Sequence, residues 1–269
     1  MNKTTIEILA LPAFQDNYIW LLRVGGYAAV VDPGDAAPVL AHLADSGDRL
    51  CAILLTHHHA DHIGGLAELL AHPQTSAGLP VFGPALNNIA GVNRPLSGGE
   101  IAVLPELNAA LDVIAVPGHT LGHLAYYGAS LIDSNLGALF CGDTLFGAGC
   151  GRLFEGTPTQ MQHSLAKITA LPASTFVFCA HEYTQSNLRF ACVVEPDNPD
   201  VQCRSREVAA ARSAGLATVP TRIGVELATN PFLRWDEPAV RIAAAAQLGQ
   251  PPQNAVETFA AIRAWKDRF

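Results

Sequence analysis

The sequence predicts an α/β sandwich with mixed sheets, followed by a helical C-terminal domain. Three observations carry that expectation. Over the first two-thirds, short apolar runs alternate with Gly/Pro turns and amphipathic stretches. After residue 182, strand-like runs nearly vanish. Hydrophobic residues make up 49% of the 269-residue chain and charged residues only 15%, which supplies a core and excludes a disordered or fibrous chain. The length suits one large domain or a domain with an appendage.

The elements follow in order. Ile6–Leu11 reads as a strand, and Tyr18–Val24, Gly25-Gly26 and Tyr27–Val31 read as a hairpin. Cys51–Leu55, Val113–Val116, Leu124–Tyr127, Ala138–Cys141 and Phe176–Cys179 are further strands. Helical patterns cover Ala37–Leu43, Ile63–Ala71 and Pro158–Leu171, the last with Thr157 at the N-cap and Pro158 at the first helical position. A domain of residues 1–182 is expected to give way to a helical one of residues 183–269. In that second part Glu182–Val194, Pro199–Ser213, Pro238–Leu248 and Ala255–Phe269 favour helix. Asn254 and Glu257 resemble a capping box, and Thr258, Ile262, Trp265 and Phe269 form a stripe expected to face the core.

The net charge is −8, which disfavours sequence-independent nucleic-acid binding because that needs a basic footprint. No stretch approaches the roughly 18–20 apolar residues of a membrane span. The N-terminus shows neither a signal-peptide pattern nor an Arg-rich transit pattern. Six cysteines form no CxxC pair, so reduced, mostly buried thiols in a cytoplasmic protein are expected.

The chemistry concentrates at strand ends. Leu50–Leu55 runs into Thr56-His57-His58-His59-Ala60-Asp61-His62. Imidazole and carboxylate suit Zn, Fe or Mn. His57 and His59, two apart, point to one side of an extended strand end, while Asp61 and His62 enter the next turn, so one run can serve two metals. Three more apolar runs end in a His or Asp: at His119, at Asp143 and at His181-Glu182-Tyr183. In open α/β sheets, sites gather outside the carboxyl ends of strands.

The remaining polar residues divide two ways. His58 lies between two candidate ligands and is expected to pack or to support them. His123, four after His119, is expected to support the loop. Asp32, after a strand, either accepts a hydrogen bond from a ligand imidazole or serves only the turn in Asp32-Pro33-Gly34. Gly149-Cys150-Gly151 reads as a tight loop, and Cys150 has no evident base. Arg263 and Lys266, at i and i+3, share a helix face. That face is either solvated, with a favourable C-terminal charge, or a clamp for a small carboxylate.

Residues 57–62 match HxHxDH, and there the chain resembles the metallo-β-lactamase superfamily. Its segments CGDTLF at 141–146, GCGRLFEGT at 149–157, HEYT at 181–184 and NPFLR at 230–234 narrow the resemblance to the glyoxalase II family, the hydroxyacylglutathione hydrolases. The resemblance implies an αββα sandwich with a helical C-terminal domain. It implies that His57, His59 and His119 bind one metal, that Asp61, His62 and His181 bind another, and that Asp143 bridges them. Asp61 and Asp143 are the candidate catalytic residues. The two divalent ions would most simply be Zn, with Fe or Mn also accepted. Arg152, Tyr183, Arg263 and Lys266 would bind glutathione; family members often have Lys at the position of Arg152 and Tyr at that of Phe154. The implied reaction is hydrolysis of S-(2-hydroxyacyl)glutathione, typically S-D-lactoylglutathione, by hydroxide held between the metals, in methylglyoxal disposal. The expected enzyme is a cytoplasmic monomer whose partner is the small-molecule thioester, with no nucleic-acid or membrane partner. The rivals are a one-iron glutathione persulfide dioxygenase of the same superfamily and a non-catalytic metal-binding relative. The helical C-terminal domain and its basic pair argue against the first, and the complete ligand set against the second.

Overall fold

The computed structural model describes residues 5–133 and 136–269. The chain divides into two compact units, one of Met1–Ala115 and Gly122–Gly142, the other of Val116–Leu121 and Asp143–Phe269.

The first unit holds two sheets. Strands β1 (Glu7–Ala13), β2 (Asn17–Val24), β3 (Tyr27–Val31), β4 (Arg49–Leu54), β5 (Val81–Pro84) and β6 (Arg94–Leu96) lie side by side in chain order. The pairs β1–β2 and β2–β3 are antiparallel; β3 through β6 are parallel. As expected, Gly25-Gly26 turns the β2–β3 hairpin, with Val24 opposite Tyr27. Helices α1 (Ala36–Ser46), α2 (Ala60–Ile63) and α3 (Leu66–Ala71) belong to this unit. Val39 and Leu43 of α1 and Leu66 and Leu69 of α3 pack with Leu21, Val30, Ile53 and Val81 in one core cluster. Each such side chain contributes about 1.5–3 kcal/mol on full burial. Of the second sheet's strands, this unit holds the antiparallel meander β7 (Ile101–Leu104), β8 (Ala109–Ala115), β9 (Leu124–Asp133) and β10 (Leu136–Gly142). The buried Tyr126 hydroxyl on β9 donates to the Leu55 carbonyl (2.8 Å) and ties this meander to the end of β4.

The second unit contains the hairpin β11 (Leu145–Phe146) and β12 (Gly149–Cys150), helix α4 (Pro158–Thr169), the pair β13 (Phe176–Cys179) and β14 (Thr221–Arg222), and helices α5 (Thr184–Val194), α6 (Pro199–Ser213), α7 (Ile223–Thr229), α8 (Pro238–Leu248) and α9 (Ala255–Lys266). Thr157 and Gln160 complete a reciprocal capping box at α4, with Pro158 in the first turn. Leu188, Ala191, Val201 and Val208 of α5 and α6 bury together with Ala148. Phe190, Phe232 and Phe259 form a buried aromatic chain with 6.0 Å between successive ring centroids. Among the described residues, no helix is long and apolar enough to cross a membrane.

Several expectations shift. The helix expected over 63–71 is broken between Ile63 and Leu66, because the Gly65 N–H donates to the Pro33 carbonyl (3.0 Å) instead of continuing a helical ladder. Asn254 does cap α9 by accepting from the Glu257 N–H (2.9 Å), but Glu257 reaches back to the Gln253 N–H (2.8 Å) rather than to its cap. Thr258 and Ile262 are fully buried, whereas Phe269, beyond the end of α9, is 59% exposed. None of the six cysteines is in a disulfide and four are buried, in line with mostly buried thiols, while Cys203 is exposed and Cys192 half-buried.

Candidate metal centre and substrate cavity

In the first unit the chain leaving β4 buries Thr56, His57 and His62 completely. Asp32, which follows β3, organises them. Its carboxylate accepts from the Thr56 N–H (2.7 Å), from the Thr56 hydroxyl (2.7 Å) and from His62 Nδ1 (3.0 Å). With its hydroxyl hydrogen spent on Asp32, Thr56 Oγ1 is the acceptor for His57 Nδ1 (3.0 Å). One carboxylate therefore fixes the tautomers of two imidazoles and leaves their Nε2 lone pairs available. His57 Nε2 lies 3.0 Å from His59 Nδ1, and His62 Nε2 lies 3.5 Å from Asp61 Oδ2. Asn17 orients Asp61 through a 3.1 Å hydrogen bond. His123 is buried and stacks on His57 at 4.6 Å and 17°, with Nδ1 on the Leu124 carbonyl (3.0 Å). It supports the His57 ring, where support of its own loop was expected. His58 packs against the His59 ring at 5.1 Å. Asp32 therefore does more than serve its turn, where its φ is 52°: it also accepts from an imidazole. Asp32→Ala is expected to weaken metal binding by about 10- to 100-fold, measured as the chelator concentration that strips half the metal; an unchanged value would deny Asp32 this role.

In the second unit Asp143 stands between two histidines. Its Oδ2 lies 3.5 Å from His119 Nε2 and its Oδ1 lies 3.4 Å from His181 Nε2. A carboxylate with each oxygen against a different imidazole is what a bridging ligand presents to two cations. His119 donates Nδ1–H to the Arg152 carbonyl (2.8 Å), which keeps Nε2 for coordination. Two glycines make the approach possible. Gly142, at φ of 47°, turns the chain before Asp143, and a Cβ there would lie 2.3 Å from Thr56 Oγ1. A Cβ on Gly151 would lie 2.0 Å from the Asp143 carbonyl oxygen and 3.0 Å from His119 Nδ1. Both donor sets are of the kind that borderline and hard divalent cations take.

The second unit also contains a cavity of about 410 Å³, lined by His119, Asp143, Phe146, Cys150, Gly151, Arg152, Phe154, Tyr183, Ser186, Asn187, Arg263 and Lys266. All four residues expected to bind substrate line it, beside two candidate metal ligands. Tyr183 stacks on His181 at 4.7 Å and 5°. The exposed Phe154 ring meets His119 edge-on at 5.2 Å and has no hydroxyl to donate. Of the two readings of the Arg263/Lys266 face, the solvated one fails for Arg263. It is 5% exposed, donates to the Cys150 carbonyl (3.0 Å) and to Asp267 (2.9 Å), and lies over the Phe232 ring. Arg152 reaches the same Asp267 at 3.8 Å. Burial first, and then the Arg263 and Arg152 charges, hold the Lys266 ammonium below the usual lysine range. Three cations gathered at one cavity attract an anion. Sequence reasoning missed Ser186 and Asn187; their spacing of three and four residues from Tyr183 on α5 was the available signal.

The metallo-beta-lactamase superfamily model matches residues 14–181, and the chain belongs to that superfamily of mixed α/β fold. The model for the hydroxyacylglutathione hydrolase C-terminus matches residues 182–269. The chain is 54% identical to the hydroxyacylglutathione hydrolase of Dechloromonas aromatica, covering 98% of this chain and 100% of that one. It is 55% identical to the hydroxyacylglutathione hydrolase of Alkalilimnicola ehrlichii, covering 97% and 99%. Among solved structures, TTHA1623 in a di-iron-bound form is 26% identical with a TM-score of 0.57, covering 84% of this chain and all of that one. Within the superfamily, the chain is a member of the hydroxyacylglutathione hydrolase family. That fold, with the His/Asp donor set described above, points to a dinuclear metal site.

Proposed function

We propose that the chain hydrolyses S-(2-hydroxyacyl)glutathione, above all S-D-lactoylglutathione, to glutathione and a 2-hydroxy acid, the step that disposes of methylglyoxal as D-lactate. In this reading His57, His59 and His119 hold one divalent ion, Asp61, His62 and His181 hold the other, and Asp143 spans both. Zinc is the first choice, and His/Asp donors also accept iron or manganese. Residues 1–182 carry the metal ligands and residues 183–269 most of the peptide-binding surface. We further read it as a monomer, and as cytoplasmic in keeping with six cysteines outside any disulfide.

One observation carries the reading: the Asp143 carboxylate, split between His119 and His181, lines the same cavity as Arg152, Tyr183, Arg263 and Lys266. Two divalent ions held by such donors would supply Lewis acidity to a thioester carbonyl and would bring the pKa of a water down towards about 7. The chain's own residues do the rest. Arg263 and Lys266 take a carboxylate of the peptide, Arg152 adds a third positive charge, and Tyr183, stacked on His181, adds a further glutathione contact. The departing thiol has a pKa of about 8.5, so the thiolate leaves without a dedicated acid. Metal analysis alongside hydrolysis of S-D-lactoylglutathione on one sample tests the proposal. Two metals per chain and thioester turnover are expected; sulfite formation with oxygen uptake from glutathione persulfide would replace it with the dioxygenase reading.

Covalent thiol catalysis is a distinct alternative at this cavity. Burial pushes the Cys150 thiol up to about 11, against the lowering effect of Arg263, so it stays protonated and a weak nucleophile at neutral pH. Cys150→Ala is expected to keep its rate within about threefold. A trapped acyl-enzyme would reverse that conclusion.

A further inference from the structure

The turn from Phe146 to Cys150 is held almost atom by atom by side chains from elsewhere in the second unit. The Asn230 amide donates to the carbonyls of Phe146 (3.3 Å) and Gly149 (3.0 Å), the two residues paired across the β11–β12 hairpin. The same amide donates to Glu226 Oε2 (3.0 Å), and that oxygen accepts the Ala148 N–H (2.8 Å) at the tip, where Ala148 has φ of 53°. Glu226 is itself fixed by Arg204 (2.6 Å) and the Thr221 hydroxyl (2.7 Å). Asn230 and Glu226 are both fully buried, and neither lines the cavity. The turn they grip does: Phe146 and Cys150 line it, and the Phe146 ring meets Tyr183 at 5.2 Å and His181 at 5.8 Å. Stability alone does not need a buried charged network of this kind, because well-packed apolar residues often do as well. A network that fixes a cavity wall has a further use.

We propose that Asn230, braced by Glu226, is a positioning residue for recognition of the peptide part of the thioester. By spanning the mouth of the hairpin it fixes Phe146 against Tyr183 and places the Cys150 carbonyl where Arg263 binds it. This rests on the glutathione-thioester reading and assigns a task to the first residue of the segment Asn230-Pro231-Phe232-Leu233-Arg234. Asn230→Asp keeps the shape and loses both donors; Asn230→Ala removes the group without adding charge.

The test uses the metal-loaded full chain with two substrates, S-D-lactoylglutathione and the lactoyl thioester of a simple thiol without the peptide. The readout is the ratio of their kcat/KM values. In the variants that ratio is expected to fall about tenfold, mainly through KM for the glutathione thioester, at unchanged metal content. A fall shared equally by both substrates, or an unchanged ratio in a folded variant, would overturn the proposal. If neither variant folds, the network is a structural prop and the proposal likewise falls. The wild type separates this outcome from failure of the parent reading: a wild type that does not prefer the glutathione thioester refutes the functional assignment before any variant is made.

Discussion

Asp143→Ala is expected to lose at least one metal per chain and to lower kcat/KM by about 10³-fold or more, at or beyond the upper end for removing a single electrostatic stabiliser. The reason is the split of its carboxylate, with one oxygen 3.5 Å from His119 and the other 3.4 Å from His181. Removing it would leave two buried imidazoles with no carboxylate between them. Asp143→Asn separates charge from shape: it keeps the volume yet offers only one good acceptor, so it is expected to fall close to the alanine variant in activity while matching the wild type in far-UV circular dichroism. Full activity in a wild type holding one metal per chain would reject the dinuclear mechanism.

Arg263→Ala is expected to raise KM for the glutathione thioester, with kcat changed less, and also to lower Tm. Contacts remote from the scissile bond bind ground and transition states about equally, so their loss appears in KM. A hydrogen bond to a charged group contributes about 1.5–3 kcal/mol, or roughly ten- to 150-fold in kcat/KM, and the 5% exposure of Arg263 leaves little solvent screening to reduce it. The Tm effect follows from the Cys150 carbonyl, which loses its 3.0 Å donor in a buried site; each kcal/mol corresponds to about 2–4 °C for a chain of this size class. Lys266, half-buried, is expected at the low end of the KM effect with little change in Tm. Because its ammonium sits below the usual lysine range, its charge is lost at lower pH than that of a free lysine. KM is therefore expected to rise on the alkaline side in the wild type and not in Lys266→Arg. If Arg263→Ala and Lys266→Ala both keep the wild-type KM, the pair does not bind substrate.

Much of this centre was legible because its residues are local or sit at one kind of place. His57, His59, Asp61 and His62 fall within six residues, and His119, Asp143 and His181 each end an apolar run. Asp32 was legible only as a choice between two roles, because its partner His62 lies thirty residues away. Helical spacing placed Arg263 beside Lys266, but no local pattern shows that Arg263 turns inward, since its acceptor on Cys150 is 113 residues upstream. Asn230 looked like part of a motif without a task for the same reason: its carbonyl acceptors are more than eighty residues away. Among the elements, Val81–Pro84 and Arg94–Leu96 went unread as strands because Gly and Pro in them mimic turn chemistry. The sheet supplies neighbours that outweigh those local preferences.

Asp32 anchors His57 through Thr56 and His62 directly, and in the proposed assignment those two rings serve different metals. The two ions then share a foundation even before they share a bridge. Occupancy of one should steady the anchor for the other, so the half-loaded protein is expected to be scarce during titration, with filling that is steeper than two independent sites would give. A lesion at this aspartate is likewise indivisible. In that assignment a substitution at Asp32 would loosen the hold on both ions together.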